Sequence, residues 1–209
     1  MNRVLVLSPH PDDEAIGCGG TLRKHVTRGD DVRAIFLTSG ENGGHGRPPA
    51  ETAQVREAEA TAAAAVLGLA GIEFWRLPDG KFAATAALAG RLRDVLVATR
   101  PALVYVPHDR EMHPDHRAAV DLIRAAVADL SPSDRPEVLM FEVWTPLETF
   151  DLIEDITVFV SVKADAIRAH ASQCSIIQFD EAALGLNRYR GEMHCWPEGE
   201  YAEVFRRLS

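Results

Sequence analysis

The chain has few cysteines, few aromatics and no long apolar run. Its three cysteines, Cys18, Cys174 and Cys195, are odd in number, scattered and never spaced C-x-x-C. That excludes a disulfide framework and a thiolate zinc knuckle, and it is the usage expected in a reducing cytoplasm. No stretch approaches the ~18 apolar residues of a spanning helix, and the apolar start of MNRVLVLSPH is cut off by Pro9 and His10 before it reaches the length of a secretion signal. No membrane insertion is expected. Basic residues are also short, 22 Lys+Arg against 31 Asp+Glu, for a formal charge of -9. Phosphate backbones select basic surfaces, so nucleic acid is not an expected partner. There is no internal repeat, low-complexity tract or linker, which predicts a single domain over 1–209, with a core in 1–130 and the remaining strands and a substrate-side part in 131–209. Oligomeric state leaves no legible mark.

What the chain does contain is an alternation. Apolar runs rich in β-branched residues recur at Arg3–Leu7, Val32–Thr38, Ile72–Leu77, Leu103–Pro107, Val138–Trp144 and Ile156–Val162. They are mostly continuous, as in strands covered on both faces. Between the first five lie Ala-, Leu- and Arg-rich stretches with helical spacing, over Glu14–Arg28, Thr52–Leu67, Ala84–Thr99 and His116–Asp129. Gly29, Gly68 and Pro101 fall where those helices should stop. Strand then helix, repeated, predicts an α/β fold: a Rossmann-like three-layer α/β/α arrangement with a mostly parallel sheet and right-handed crossovers. A helix over Lys163–Cys174 is expected to open the C-terminal part, and the connection from it to the last segment has no clear pattern.

In an open α/β sheet the ligand site forms outside the carboxyl ends of the strands. Polar residues concentrate there: His10-Pro-Asp-Asp-Glu14 after strand one, Ser39-Gly-Glu-Asn-Gly-Gly-His45 after strand two, Pro78-Asp79-Gly80 after strand three, and His108-Asp-Arg-Glu-Met-His-Pro-Asp-His116 after strand four. A catalytic zinc takes three protein ligands and keeps a fourth position for water. His10, Asp12 or Asp13, and His113 or His116 supply such a set. Pro9 and Pro11 restrict the backbone that presents His10. His113 and His116 flank a helix entry, so one can ligate while the other works on substrate. Consecutive acids repel one another unless a cation sits among them. Complementing a helix dipole is worth at most about 1 kcal/mol and does not account for two such loops on one rim.

Two competing sites fit less well. Gly17-Cys-Gly-Gly20 suggests a phosphate loop, but G-x-G-x-x-G started at Gly17 needs glycine at position 22, which is Leu22. These glycines read as small residues that let a helix pack closely. A facial iron(II) triad from His10, Asp12 and a distant histidine conflicts with the strand-helix alternation.

P-H-P-D-D-E after strand one, H-P-D-H after strand four, and Arg56-Glu-Ala-Glu59 followed by Ala64-x-x-Leu67-Gly68 together resemble the N-acetylglucosaminyl-phosphatidylinositol de-N-acetylase superfamily, the PIG-L or LmbE-like deacetylases. Ser172-Gln173 and Tyr201-Ala-Glu203 are weaker parts of the same likeness. The resemblance implies a zinc hydrolase that removes acetyl from a small N-acetylglucosamine-type sugar conjugate. Position by position it implies His10, Asp13 and His116 as zinc ligands and Asp12 as general base. It implies His113 as the imidazole that stabilises the oxyanion or protonates the leaving amine, with Asp115 close enough to tune it. Arg56 and Asp79 resemble sugar-binding positions.

The residues themselves allow blander roles for several of these. Arg56 also reads as a surface charge beside Glu59, three residues on along the helix, and Asp79 as a plain turn residue. Glu41, Asn42 and His45 form a loop that closes over the sugar or merely connects. His194 and Trp196 read as packing more readily than as a substrate wall, and His170 as structural. Glu14 either orients a ligand or favours the helix start. An amidase acting on another amide, such as a thiol conjugate or antibiotic precursor, would keep the same metal, and a sugar- or nucleotide-binding module would lack it. Two histidines and one aspartate with an open position accept iron(II) or cobalt(II) as well as zinc, one ion per chain.

Overall fold

Five strands are parallel and follow the expected alternation: β1 (Arg3–Ser8), β2 (Asp31–Thr38), β3 (Gly71–Leu77), β4 (Leu103–Pro107) and β5 (Glu137–Phe141). The first four are each followed by a helix: α1 (Asp13–Thr27), α2 (Pro49–Leu67), α3 (Ala86–Thr99) and α4 (Pro114–Ala128). The computed structural model describes residues 1–195, 197 and 199–208. With β6 (Leu152–Asp155) and β7 (Ala202–Arg207), its seven-stranded sheet has the order β3-β2-β1-β4-β5-β7-β6. Strand order reverses between β1 and β4, and the loops leaving those two strands carry the H-P-D-D and H-P-D-H motifs. A crevice at such a reversal is where open α/β sheets bind ligands. Among the described residues no helix is long and apolar enough to cross a membrane.

Successive residues of each apolar run divide between the two faces of the sheet. Val4, Val6 and Phe36 pack with Leu22, Leu67, Ile167 and Phe205 on one face; Leu5, Leu7, Ile35 and Leu37 pack with Leu92, Leu96 and Ile123 on the other. Helices cover both faces, and so the strands need no polar alternation.

The C-terminal part departs from expectation. Ile156–Val162 is not a strand: a 3-10 turn spans Thr157–Phe159 and α5 (Val160–Arg168) follows it, with β6 (Leu152–Asp155) just ahead. Val162 packs against the core from a helix, a case of tertiary packing overriding β-branched preference. The helix expected over Lys163–Cys174 breaks at His170 into α5 and the short α6 (Ala171–Cys174). Then come α7 (Phe179–His194) and β7 (Ala202–Arg207), which inserts antiparallel between β5 and β6.

Helix α1 is itself broken. Cys18 adopts φ -140° and ψ 15°, outside the helical region. The N–H groups of Gly20 and Thr21, freed by the break, donate to the Glu203 carboxylate of β7 at 2.9 and 2.8 Å. Lys163 of α5 donates to the same carboxylate at 2.6 Å, with both side chains wholly buried. A Cβ on Gly17 would overlap the Phe141 ring, and one on Gly20 would lie 2.8 Å from Ile156. These glycines therefore permit close packing, as their sequence context implies.

Candidate metal centre and active site

The loop after β1 is fixed before it reaches the site. Thr38 of β2 donates its N–H and hydroxyl to the Pro9 carbonyl at 3.0 and 2.9 Å, and the His10 N–H donates to Asp13 Oδ2 at 2.9 Å. His10 Nδ1, Asp13 Oδ2 and His116 Nε2 then form a triangle with sides of 3.2, 3.2 and 3.3 Å. Nitrogen and oxygen ligands at about 2.0–2.1 Å from a tetrahedral zinc stand about 3.3–3.4 Å apart, so this donor set fits such an ion. The outward ring nitrogens face acids: His10 Nε2 lies 3.2 Å from Asp115 Oδ2 and 3.3 Å from Asp79 Oδ1, and His116 Nδ1 lies 3.6 Å from Glu111 Oε2. Carboxylates behind imidazoles orient metal-binding histidines and raise their basicity.

Two other groupings, His10-His113-His116 and His10-Asp79-Asp115, also bring ligand atoms within 4.8 Å of one another. The first uses a ring whose Nδ1 is engaged with backbone, and the second takes the acids away from their place behind His10. The triangle through Asp13 leaves both arrangements intact. Charge supports it too. Burial would lower the pKa of both imidazoles, yet Asp13, Asp115 and Asp79 raise His10 well above its ordinary range, and Asp13 with Glu111 raises His116 to about 9. Burial would raise Asp13, but His116 and His10 hold it well below the usual carboxylate range. Buried acids that pull protons onto both neighbouring imidazoles form a site short of a cation.

Asp12 stands beside these donors with φ 139° and ψ -28°, a conformation strained for any residue with a Cβ. Its N–H points to Glu14 Oε2 at 3.3 Å, and its carboxylate accepts from Arg56 Nη2 at 2.9 Å. Arg56 is buried and also donates to the carbonyls of Pro11 and Gly40 at 2.9 and 3.0 Å. The surface pair with Glu59 that helical spacing allows is therefore not formed. Glu59 instead accepts the N–H and the hydroxyl of Ser172, each at 2.7 Å, and so anchors the C-terminal part. Burial pushes Asp12 up to about 6 against the pull of Arg56, a value suited to accepting a proton near neutral pH. Glu14 is raised to about 8 by burial and by Asp12. Its Oε2 also lies 3.3 Å from the Ser8 hydroxyl, so it braces the strained loop and does not face the metal donors.

His113 caps α4, its Nδ1 accepting the Asp115 N–H at 3.2 Å. With Nδ1 an acceptor, the neutral ring carries its proton on Nε2. Burial, then His10 and His116, lower its pKa and favour that neutral form. The Asp115 carboxylate lies against His10 Nε2 and accepts from the Gly80 N–H at 2.7 Å. Asp115 meets His113 through its backbone N–H, and its charge also acts to raise the His113 pKa against the net lowering.

These groups open into a cavity of about 300 Å³ whose lining includes His10, Asp12, Asp13, Arg56, Asp79 and His113. Asn42 lines it too, and both donates its N–H to Asp79 Oδ2 and its amide to the Asp79 carbonyl, each at 2.8 Å. Glu41 is not among the lining residues; its Oε1 accepts the Asp79 N–H at 2.9 Å. His194 also stays out, packed edge-on against Phe150 at 5.0 Å, while Trp196 lies outside the described residues. His170 is buried beside Glu14 Oε1, 3.9 Å away, and burial pushes its pKa down to about 3. No sequence pattern marks Glu111, which accepts the N–H groups of Val143, Trp144 and Thr145 at 2.7, 3.0 and 3.2 Å while facing His116. Its one signal is its place in the loop that ends at His116. Trp144, Gln173, Ile176, Ile177 and Phe179 also line the cavity, from segments with no motif of their own apart from Ser172-Gln173.

Comparison with known proteins bears on the fold and on the span that holds these residues. The chain is 30% identical over 197 residues to the diacetylchitobiose deacetylase of Thermococcus kodakarensis, covering 83% of this chain and 70% of that protein. It is 28% identical over 187 residues to a probable N-acetyl-alpha-D-glucosaminyl L-malate deacetylase 2 of Bacillus anthracis, covering 81% and 80%. The structure matches that of N,N'-diacetylchitobiose deacetylase from Pyrococcus horikoshii with a TM-score of 0.86 at 26% identity, over 99% of this chain and 84% of that one. Residues 5–127 match the family described as GlcNAc-PI de-N-acetylase, PIG-L, a span that runs from β1 through α4 and takes in both metal-motif loops. With sheet order, motif geometry and this match in agreement, the chain belongs to the PIG-L family of GlcNAc-PI de-N-acetylases.

Proposed function

We propose that the protein is a metal-dependent hydrolase, residues 1–209 acting as one catalytic domain, that removes the N-acetyl group from a small N-acetylglucosamine-type sugar conjugate and releases acetate. The observation that carries this reading is the triangle of His10 Nδ1, Asp13 Oδ2 and His116 Nε2, with Asp12 and His113 lining the same cavity.

His10, Asp13 and His116 would hold the ion, which we take to be zinc; iron(II) or cobalt(II) suits the same donors. When bound, the metal would polarise the amide carbonyl as a Lewis acid and lower the pKa of water to about 7. Asp12 accepts the proton of the attacking water. Arg56, fixed to its Oδ2, keeps that carboxylate ionised and aimed. His113 donates from Nε2 to the carbonyl oxygen as negative charge gathers there, and the proton taken up by Asp12 passes to the departing nitrogen as the C–N bond breaks. Asp115 and Asp79 fix His10 from behind. Asn42 and Asp79 are the lining groups best placed for sugar hydroxyls. Arg56 is already committed to Asp12, so it acts on the sugar only at second hand. We assign the protein to the cytoplasm, which suits the free thiols of Cys18, Cys174 and Cys195.

The test is metal analysis together with acetate release from a panel of N-acetylglucosamine glycosides. Wild type should carry about one ion per chain and release acetate, while Asp12→Ala and His113→Ala should keep the ion and lose about 10²–10⁴-fold in kcat. Metal-loaded wild type that releases acetate from none of the panel would remove the deacetylase reading.

A further inference from the structure

We propose that one part of the catalytic cavity is an aglycone subsite, and that the N-acetylglucosamine unit arrives on an uncharged, largely apolar aglycone. The proposal rests on the deacetylase reading above and sharpens it to a substrate class. Trp144, Ile176 and Ile177 line the cavity with Phe179, yet remain 46%, 46% and 41% exposed. Large apolar side chains left open in the lining of a cavity mark a binding surface.

These side chains come from two segments that meet where Trp144 packs edge-on against Phe179, ring centroids 5.8 Å apart. Neither segment is loosely held. Glu111 takes the Trp144 N–H at 3.0 Å, and Glu142 beside it is locked to the buried Arg190 at 2.8 Å. Ser172 is pinned to Glu59 on the other segment. The apolar groups thus stay open because their backbones are fixed, and they present a preformed face.

Charge narrows the class. Among the described residues lining the cavity, Arg56 is the one guanidinium and there is no lysine; its contacts go to Asp12, Pro11 and Gly40. Asp12, Asp13 and Asp79 line the same space. A dianionic aglycone such as malate would lose water there with no free guanidinium or ammonium to meet it, the other nitrogen bases in the lining being the imidazoles of His10, His45 and His113. Size fits as well: about 300 Å³ is at the small end for a ligand cavity, so a sugar ring takes up most of it and the aglycone lies over Trp144 and the isoleucines.

The experiment measures acetate release by the metal-loaded protein from methyl, hexyl and phenyl N-acetylglucosaminides, diacetylchitobiose and N-acetylglucosaminyl malate. kcat/KM for the hexyl and phenyl glycosides should exceed that for the methyl glycoside by about tenfold or more, chiefly through KM, with the malate conjugate below the methyl glycoside. In Trp144→Ala and Ile177→Ser the phenyl-to-methyl ratio should fall toward one. A ratio taken within one preparation does not depend on how much of a variant folds. Equal rates on methyl and phenyl glycosides, malate or chitobiose as the best substrate, or a ratio that survives both substitutions overturns the subsite. Absence of acetate from every glycoside is a failure of the hydrolase reading, and binding then decides the subsite alone. Hexyl glycoside should change tryptophan fluorescence saturably in wild type, with Kd about tenfold weaker in Ile177→Ser; no saturable change overturns the proposal.

Discussion

Replacing Glu203 by alanine should be among the most damaging single changes in this protein outside the cavity. The carboxylate accepts three donors, the N–H groups of Gly20 and Thr21 and the ammonium of Lys163, at 2.9, 2.8 and 2.6 Å. Lys163 is wholly buried. Removing one partner of such a pair leaves an uncompensated interior charge, which costs about 3–5 kcal/mol. The two orphaned N–H groups would each cost about 1–3 kcal/mol by themselves, but the three losses share one carboxylate and do not add. A total near 4 kcal/mol is about a quarter or more of a typical domain stability of about 5–15 kcal/mol and should lower Tm by about 8–16 °C at this chain length. Urea unfolding at pH 7 measures it, with the double variant Glu203→Ala, Lys163→Met alongside. Removing the ammonium as well should recover more than half of the loss, because an apolar side chain needs no partner; the two N–H groups account for the remainder. A single-variant loss below about 1 kcal/mol, or a double variant as unstable as the single, would refute the assignment of the pair as the anchor of the broken helix.

Asp13→Ala should lose the metal, while Asp12→Ala keeps it and loses turnover; metal content of the two purified variants decides, and the reverse pattern overturns the division of roles between these neighbours. Glu111→Gln should weaken metal affinity by about 10–100-fold, read by competition with a chelator, because His116 loses the acid behind it. Asp30 is held below the usual aspartate range by its hydrogen bond with His25 and by the Asn2 N–H, at 2.9 and 2.7 Å. Its contribution to stability is complete above the ordinary aspartate pKa of about 4 and drains away as pH falls through the lower folded value. Asp30→Asn should therefore be less stable than wild type at pH 7, and the gap should narrow in acid; a gap constant down to pH 2 would contradict this.

The parallel half of the sheet was legible because strands buried on both faces must be apolar throughout, and only helices fit between them. The clustering of both candidate metal loops was legible because histidines and acids at the carboxyl ends of strands have few structural reasons to cluster. Partnership was less visible than proximity. Arg56 has a neighbour at helical spacing in Glu59, yet the structure turns it inward to Asp12, where the alternative was a buried, unopposed carboxylate. Asp115 follows His113 in the motif but serves His10, a hundred residues earlier in the chain, because the first turn of α4 sends the two side chains apart. The C-terminal elements were the least readable. β7 is recognisable as a strand only by what it pairs with, and Val160 and Val162 favour a strand until packing makes them helical.

The bonds from Gly20 and Thr21 to Glu203 span 183 and 182 residues of sequence, nearly the whole chain. On the ribosome, every residue of the H-P-D-D and H-P-D-H motifs is therefore made long before the strand that completes their scaffold. Until residues 202–207 emerge, β5 has an open edge and the second half of α1 has bare N–H groups beside a lone ammonium. Contacts this distant in sequence form late, and an unpaired edge strand is a template for association with other chains. Chaperone dependence and aggregation during expression should accordingly respond to changes in the last strand more than to changes at the catalytic loops.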